Sequence, residues 1–155
     1  MNLFDSSASF DARVRAIDRA PLTLKQYCHT HGKECPIFAK TCQSDYDISG
    51  LPCPDMSPCG RRMYEEGQTS SVFACHAKLH IALQTPMLII ENVPELRMNM
   101  ITKLYGRHYA IKQLFVEPTH TGHAAVARDR TYLILTLKSR VVEIHNVNKV
   151  YEDRR

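Results

Sequence analysis

The stretch that decides the fold is "MLIIENV" at residues 87–93, four apolar residues followed by a carboxylate and an amide. A short, continuous apolar run is typical of a strand that is buried on both faces of a sheet. Charged side chains are rarely buried without a partner, so Glu91 and Asn92 indicate that this strand ends at a cleft. We therefore expect an α/β protein whose chemistry lies at the carboxyl ends of its strands.

Strand and helix patterns alternate on both sides of this segment. Strand patterns occur at residues 46–51, 108–118 and 130–137, and helix patterns occur at residues 9–19, 69–84 and 94–106. The alternation predicts right-handed crossovers and a doubly wound, mostly parallel sheet with helices on both faces. Within the central helix pattern, one apolar stripe predicts the buried side: Val72, Cys75, Leu79 and Leu83.

Composition and length narrow the class of protein. The 155 residues carry a formal net charge of +4, which weakly favours anionic partners such as nucleic acid. No stretch approaches the ~18 apolar residues of a membrane helix, and the N-terminus lacks the apolar core of a signal peptide. We expect a nuclear or cytoplasmic protein that is not secreted. We divide the chain into an irregular N-terminal segment with a short helix (1–44), a core (45–138) and a C-terminal tail (139–155).

Cys53 lies in "GLPCPDMSPCG" at residues 50–60, directly after a predicted strand. The prolines on either side of it exclude a regular helix or strand and predict a rigid turn. Such a turn would hold a nucleophilic thiolate still at the edge of a cleft. An ordinary structural thiol remains the alternative, and Cys59 is the weaker candidate because no strand precedes it.

Three further charged residues are candidates at strand boundaries. Glu91 could act as an acid in a cleft, or it could cap the helix that follows Pro94. Arg128 and Arg130 have the alternate spacing that places two strand residues on one face, so both could bind one anionic or carbonyl group. The alternative is a solvated strand end with an ion pair to Asp129.

Cysteine and histidine are concentrated near the N-terminus in "CHTHGKEC" at residues 28–35. Without a secretory signal, cysteines are expected to be reduced thiols or metal ligands. One possible zinc set combines this segment with a later thiol: Cys28, His31, Cys35 and Cys42. Its spacing matches no common zinc ribbon, so we assign no metal ligands. His76 and His80 lie one helical turn apart, and we expect them on the surface.

The order of these segments resembles that of DNA cytosine-5 methyltransferases. The turn at residues 50–60 resembles their G-x-P-C-Q-x-F-S-x-x-G segment, and "IENVPEL" is similar to their Glu-Asn-Val strand end. The third segment, "ARDRTYLILT", is similar to their Gln-x-Arg-x-Arg segment, which also leads into a strand. The likeness covers about residues 45–138.

The resemblance implies a role for each matching residue. Cys53 corresponds to the thiolate that attacks carbon 6 of a flipped-out cytosine, and Glu91 corresponds to the acid that holds ring nitrogen 3. Arg130, with Arg128 beside it, corresponds to the group that binds the base's carbonyl oxygen. The implied cofactor is S-adenosylmethionine, with Pro52 and Asn92 beside it, and the implied partner is DNA.

The implied fold is a Rossmann-like methyltransferase core that lacks the cofactor-loop half, because nothing before residue 45 resembles the family's glycine-rich loop. Two alternatives stay open at this point. One is a binding or scaffold module that keeps the half-sheet without catalysis. The other is a small zinc-dependent nucleic-acid-binding module built on the cysteines of residues 28–42.

Overall fold

The computed structural model describes residues 7–37, 44–117, 119 and 129–154, which form a mixed α/β fold. Its strands are β1 (Lys25–Cys28), β2 (Lys33–Pro36), β3 (Tyr46–Gly50), β4 (Met87–Asn92), β5 (Tyr109–Val116) and β6 (Arg130–Leu137). Its helices are α1 (Phe10–Arg19), α2 (Ser70–Leu83), α3 (Met98–Tyr105) and α4 (Val147–Glu152), and a 3-10 helix spans Tyr64–Glu66.

The main sheet has the strand order β3-β4-β6-β5. Strands β3 and β4 are parallel neighbours, whereas β6 lies antiparallel between β4 and β5. Three strands therefore point the same way, but two of the three neighbouring pairs are antiparallel. This corrects the expectation of right-handed crossovers throughout, because β5 and β6 pair directly with each other as adjacent antiparallel strands.

The core lies on one face of the sheet, under α1, α2 and α3. In β4, Leu88 and Ile90 are fully buried on this face, opposite Leu135 and Leu133 of β6. Met87, Ile89 and Glu91 of β4 are partly exposed, and Ile48 of β3 keeps 67% of its surface exposed. The expected burial of the sheet on both faces is therefore wrong for the described residues, because α1, α2 and α3 cover one face, and α4 contacts mainly the edge strand β5.

Helix α1 confirms the helix pattern at residues 9–19. Ser9 caps it by accepting a hydrogen bond from the backbone of Ala12, and Phe10 and Ile17 are buried against the core. Arg13 is also buried, and its guanidinium donates to the carbonyl oxygen of Glu65 at 2.8 Å. Helix α1 is thereby attached to the segment that precedes α2.

Helix α2 has a different buried side from the one that its apolar stripe predicts. The buried residues are Ser70, Ser71, Phe73, Ala74, Ala77 and His80, whereas the predicted stripe is only partly buried. Apolar or small residues occur on nearly every side of this helix, so its pattern does not single out one face. The position of the large Phe73 ring in the core determines the orientation.

The remaining segments differ in smaller ways from the prediction. Residues 21–44 were expected to be irregular, yet β1 and β2 form an antiparallel hairpin there. Helix α3 starts at Met98, four residues after Pro94, because residues 93–96 first form a hydrogen-bonded turn. Within the described part of the chain, no helix combines the length and apolar character needed to span a bilayer.

Candidate active site at the carboxyl ends of strands β3 and β4

The Cys53 turn, which we define as residues 50–60, leaves the end of β3. The carbonyl oxygen of Cys53 accepts hydrogen bonds from the backbone N–H groups of Met56 and Ser57, each at 2.9 Å. Pro52 and Pro54 fix φ on either side of the half-buried cysteine. The thiol is therefore held in a turn that its own backbone closes, as the sequence predicts.

Asp55 anchors this turn, and sequence reasoning did not identify it. Its buried carboxylate accepts hydrogen bonds from the N–H and hydroxyl groups of Thr69, at 2.9 and 2.7 Å, and lies 2.9 Å from Nε of Arg61. Burial alone would raise the pKa of Asp55, but the hydrogen bonds from Thr69 and the charge of Arg61 outweigh it and lower that pKa. Asp55 is therefore a buried, ionised carboxylate whose Oδ2 is hydrogen-bonded to Thr69 and whose Oδ1 faces the charge of Arg61.

Two glycines make the close packing of this segment possible. A Cβ on Gly67 would lie 2.1 Å from Cγ of Asp55, and a Cβ on Gly60 would lie 1.9 Å from the carbonyl oxygen of Pro54. The same carbonyl accepts a 2.8 Å hydrogen bond from the N–H of Arg61. No side chain fits at either position, so the backbone after Cys53 packs directly against itself.

Glu91 and Arg130 form an ion pair at the same edge of the sheet. Nε of Arg130 lies 2.5 Å from Oε1 of Glu91, and the two side chains are 22% and 37% exposed. Gly50, the last residue of β3, pairs with Glu91 in the β3–β4 ladder, and a Cβ there would lie 3.6 Å from Oε2 of Glu91. The carboxylate thus lies beside the residue at which the Cys53 turn begins.

Asn92 connects the ends of the two strands. Its side-chain amide donates to the carbonyl oxygen of Leu51 at 2.8 Å, and its Oδ1 accepts from the N–H of Val93 at 3.0 Å. The side chain is 2% exposed. Asn92 therefore positions the backbone two residues before Cys53, and its predicted contact with a cofactor, like that of Pro52, stays a prediction.

The structure thus brings Glu91 and Arg130 into contact and places Cys53 at their edge of the sheet. Arg128 lies outside the described residues, so its predicted place beside Arg130 stays a prediction. A cavity of about 450 Å³ opens after the end of β4, lined by residues 94–99 and Tyr64. Its described lining does not include Cys53, Glu91 or Arg130, so we assign it no role in the chemistry.

A buried polar network packs against the inner face of β3. It includes the two histidines of α2, which were expected on the surface, so that expectation is wrong. His76 contacts the hydroxyl groups of Ser49, at 3.1 Å, and Tyr105, at 2.9 Å. Nδ1 of His80 lies 3.0 Å from the hydroxyl group of Thr85. Both rings lie near the carboxylate of Asp47, at 3.5 and 3.7 Å, on the inner side of β3.

Burial determines the charge of these histidines. It is the largest cause that lowers the pKa of His76, to about 4, and proximity to His80 lowers it further although Asp47 opposes this effect. Burial also lowers the pKa of His80, again against Asp47. Both rings are therefore neutral near pH 7 and act as hydrogen-bonding supports for the strand that leads to Cys53. Sequence reasoning could not find this network because Asp47 lies far from the histidines along the chain.

Comparison with known proteins identifies the class to which this fold and site belong. The family model for C-5 cytosine-specific DNA methylase matches residues 29–154. The match spans most of the chain, and the chain belongs to that family. No curated protein sequence matches the chain.

A solved structure supports the fold independently. The chain is similar to a DNA modification methyltransferase encoded within a prophage of E. coli, with a TM-score of 0.50 and 24% sequence identity. The similarity covers 65% of this chain and 29% of that protein, so the chain spans less than a third of its structural relative. At this identity the likeness supports the fold alone.

Proposed function

We propose that the chain carries the base-modifying residues of a DNA cytosine-5 methyltransferase, with Cys53 as the nucleophile. The observation that carries this proposal is the Glu91–Arg130 pair, held beside Gly50 where the Cys53 turn begins. Family membership supplies the reaction class, and the rigid turn supports a thiol whose freedom is already restricted before attack.

The pairing of a carboxyl with a guanidinium suits one edge of cytosine. Ring nitrogen 3 and the carbonyl oxygen at carbon 2 are adjacent on that edge, so groups that already contact each other can bind both. We assign nitrogen 3 to Glu91 and the carbonyl oxygen to Arg130, with Arg128 beside it. The base must leave the DNA stack to reach them, because an enzyme cannot reach the reacting atoms of a base inside the duplex.

The chemistry of the chain's own residues begins with addition. The thiolate of Cys53 forms a bond to carbon 6, and the electrons of the 5,6 double bond shift to form a double bond between carbons 4 and 5. The electrons of the double bond between carbon 4 and nitrogen 3 move onto nitrogen 3, which takes a proton from Glu91 and leaves an enamine. Carbon 5 thereby becomes nucleophilic. After substitution at carbon 5, loss of its proton restores the double bond and breaks the sulfur–carbon bond, which releases Cys53.

The family uses S-adenosylmethionine, which when bound supplies the methyl group. The residues described here do not form a complete site for it. Their glycines stand singly at positions 32, 50, 60, 67 and 106, so they offer no glycine-rich loop that a nucleotide could approach. Pro52 and Asn92 remain the proposed contributions of this chain, at the edge that β3 and β4 share.

Covalent trapping tests the proposal. DNA that contains 5-fluorocytosine lacks the proton whose loss releases the enzyme, so the thiol adduct should accumulate when S-adenosylmethionine is supplied. We expect a complex that survives denaturation with the unmodified chain and with Cys59→Ser, and none with Cys53→Ser. A folded chain that forms no adduct, or an adduct that Cys59→Ser removes instead, would contradict the assignment.

A further inference from the structure

The β1–β2 hairpin brings together three potential metal ligands, none of which belongs to the proposed active site. Sγ of Cys28, Nδ1 of His31 and Sγ of Cys35 all lie within 4.8 Å of one another. The imidazole nitrogen is 3.4 Å from the first sulfur and 3.3 Å from the second. We propose that these three side chains bind a zinc ion that holds the hairpin together.

The separations fit tetrahedral coordination. Zinc binds thiolate sulfur at ~2.3 Å and imidazole nitrogen at ~2.0–2.1 Å, which places the two ligand atoms about 3.6 Å apart at a tetrahedral angle. Hydrogen bonding explains the arrangement less well. A single ring nitrogen offers one proton or one lone pair, so a bond from His31 to one sulfur leaves its contact with the other unexplained. One metal ion accounts for both contacts.

The hairpin loop also supplies hydrogen bonds to one of the sulfur atoms. Backbone groups of His31 and Thr30 hydrogen-bond to the sulfur of Cys28. Such hydrogen bonds from a surrounding shell orient metal ligands and support their charge. Gly32 adopts a φ of +61° in this loop, which lets the chain turn between His31 and β2.

The hairpin has little else to stabilise it. Among the described elements, β1 and β2 pack chiefly against each other, and most of their residues are exposed. Tyr27, the largest side chain of β1, keeps 56% of its surface exposed. A lone two-stranded hairpin is marginally stable in water, and a structural metal is one of the ways in which small units without a core are held.

A second group of possible ligands is better explained without a metal. The side chains of Asp47, His76 and His80 also lie within 4.8 Å of one another. However, both nitrogens of His76 and Nδ1 of His80 already have hydroxyl partners within hydrogen-bonding distance.

Both hairpin cysteines are free thiols in this structure, so no disulfide accounts for their approach. The hairpin is therefore the metal site that the structure supports.

The test uses the full chain, reduced and freed of metal by a chelator, and then titrated with Zn²⁺ or Co²⁺. We expect one tightly bound ion per chain. Bound Co²⁺ should show the near-ultraviolet charge-transfer band of thiolate ligands and the visible bands of tetrahedral geometry. The informative variants are Cys28→Ser, His31→Ala and Cys35→Ser, and the matched controls are Cys59→Ser, Cys75→Ser and His76→Gln.

Each of the three hairpin variants should weaken binding at least ~10-fold, and Cys28→Ser and Cys35→Ser should each weaken the thiolate band. The three controls should bind as the unmodified chain does. A reduced, folded chain that binds no metal would overturn the proposal. So would binding that the hairpin variants leave unchanged or that His76→Gln removes. None of these readouts depends on methyltransferase activity, so the zinc site and the proposed function can fail separately.

Discussion

Two cysteine-bearing segments of this molecule are held in different ways. The Cys53 turn is joined to the core through the protein's own hydrogen bonds, from Thr69 to Asp55 and from Asn92 to Leu51. The β1–β2 hairpin has its strand pairing and few other described contacts. The Cys53 turn is therefore fixed by buried hydrogen bonds, whereas the β1–β2 hairpin places two thiols and an imidazole close together.

The difference shows what each thiol is suited to do. A thiol in a rigid, internally bonded turn keeps its sulfur free for reaction with another molecule. Thiols that approach a common imidazole in an otherwise weak hairpin are better suited to bind an ion that completes the structure. We therefore expect the Cys53 turn to depend on its buried hydrogen bonds and the β1–β2 hairpin to unfold independently of the core.

The largest expected loss of stability comes from substitution of Asp55, which anchors the Cys53 turn. Asp55→Ala leaves the N–H and hydroxyl groups of Thr69 without their partner in a largely buried site, so we expect a loss of about 3 kcal/mol in the free energy of unfolding. Urea denaturation measures the loss. The exposed Asp153 offers the matched control, because Asp153→Ala should change stability by less than about 0.5 kcal/mol.

The charge of Asp55 adds a pH dependence to this test. Its pKa is lowered in the folded state, so its stabilisation is present above the ordinary value of 3.8 and is lost as the pH falls through the folded value. Asp55→Ala should lack this acid-induced loss. Equal stability of Asp55→Ala and Asp153→Ala would show that the turn does not depend on the carboxylate.

The next effect concerns the network under β3. The pKa of His76 is about 4 in the folded state and 6.5 ordinarily, so between these values the unfolded chain binds a proton that the folded chain does not. Stability should therefore fall as the pH is lowered from 6.5 to 4, and this group alone contributes at most about 3 kcal/mol. Urea titrations across this window measure the fall.

Two variants separate this effect from general acid sensitivity. His76→Gln should flatten the fall, although His80 still contributes in the same direction because its pKa is also lowered. The exposed His145 is the control, since His145→Gln should leave the pH profile unchanged. A profile that His76→Gln does not alter would mean that the ring is not buried in its neutral form.

The smallest expected effect concerns the hairpin. Removal of metal by a chelator, or Cys28→Ser, should increase amide hydrogen exchange in residues 25–36 and leave the global unfolding transition within about 0.5 kcal/mol of its starting value. The reason is that few described contacts join the hairpin to the core. A large drop in global stability would show that the hairpin and the core unfold as one unit.

Sequence patterns predicted the elements better than their arrangement. The alternation of buried and exposed residues in β6 is regular, and the strand occupies residues 130–137 as predicted. Its insertion between β4 and β5 could not be predicted, because the ladder partners of a strand depend on the whole sheet. The predicted buried side of α2 was wrong for a related reason. Apolar residues occur on nearly every side of this helix, so packing against the rest of the core determines which of them are buried.

The candidate site was partly predictable. Glu91 was visible as a charged residue at the end of an apolar strand. Its contact with Arg130 depends on the antiparallel direction of β6, which brings the start of that strand to the carboxyl end of β4. The role of Asp55 could not be predicted, because a carboxylate in a proline-rich turn is normally exposed to solvent. The histidine network was missed because its partners come from β3, α3 and the end of α2.

The central claim is that Cys53 is the group that bonds to the base, and mapping of the adduct tests it most directly. The complex formed with 5-fluorocytosine DNA and S-adenosylmethionine would be digested, and the peptide that retains the modified nucleotide would be sequenced by mass spectrometry. We predict that the nucleotide is attached to Cys53 in the peptide that spans the Cys53 turn. Attachment at Cys59, Cys75 or a hairpin cysteine, or no attachment to a folded chain, would contradict the account.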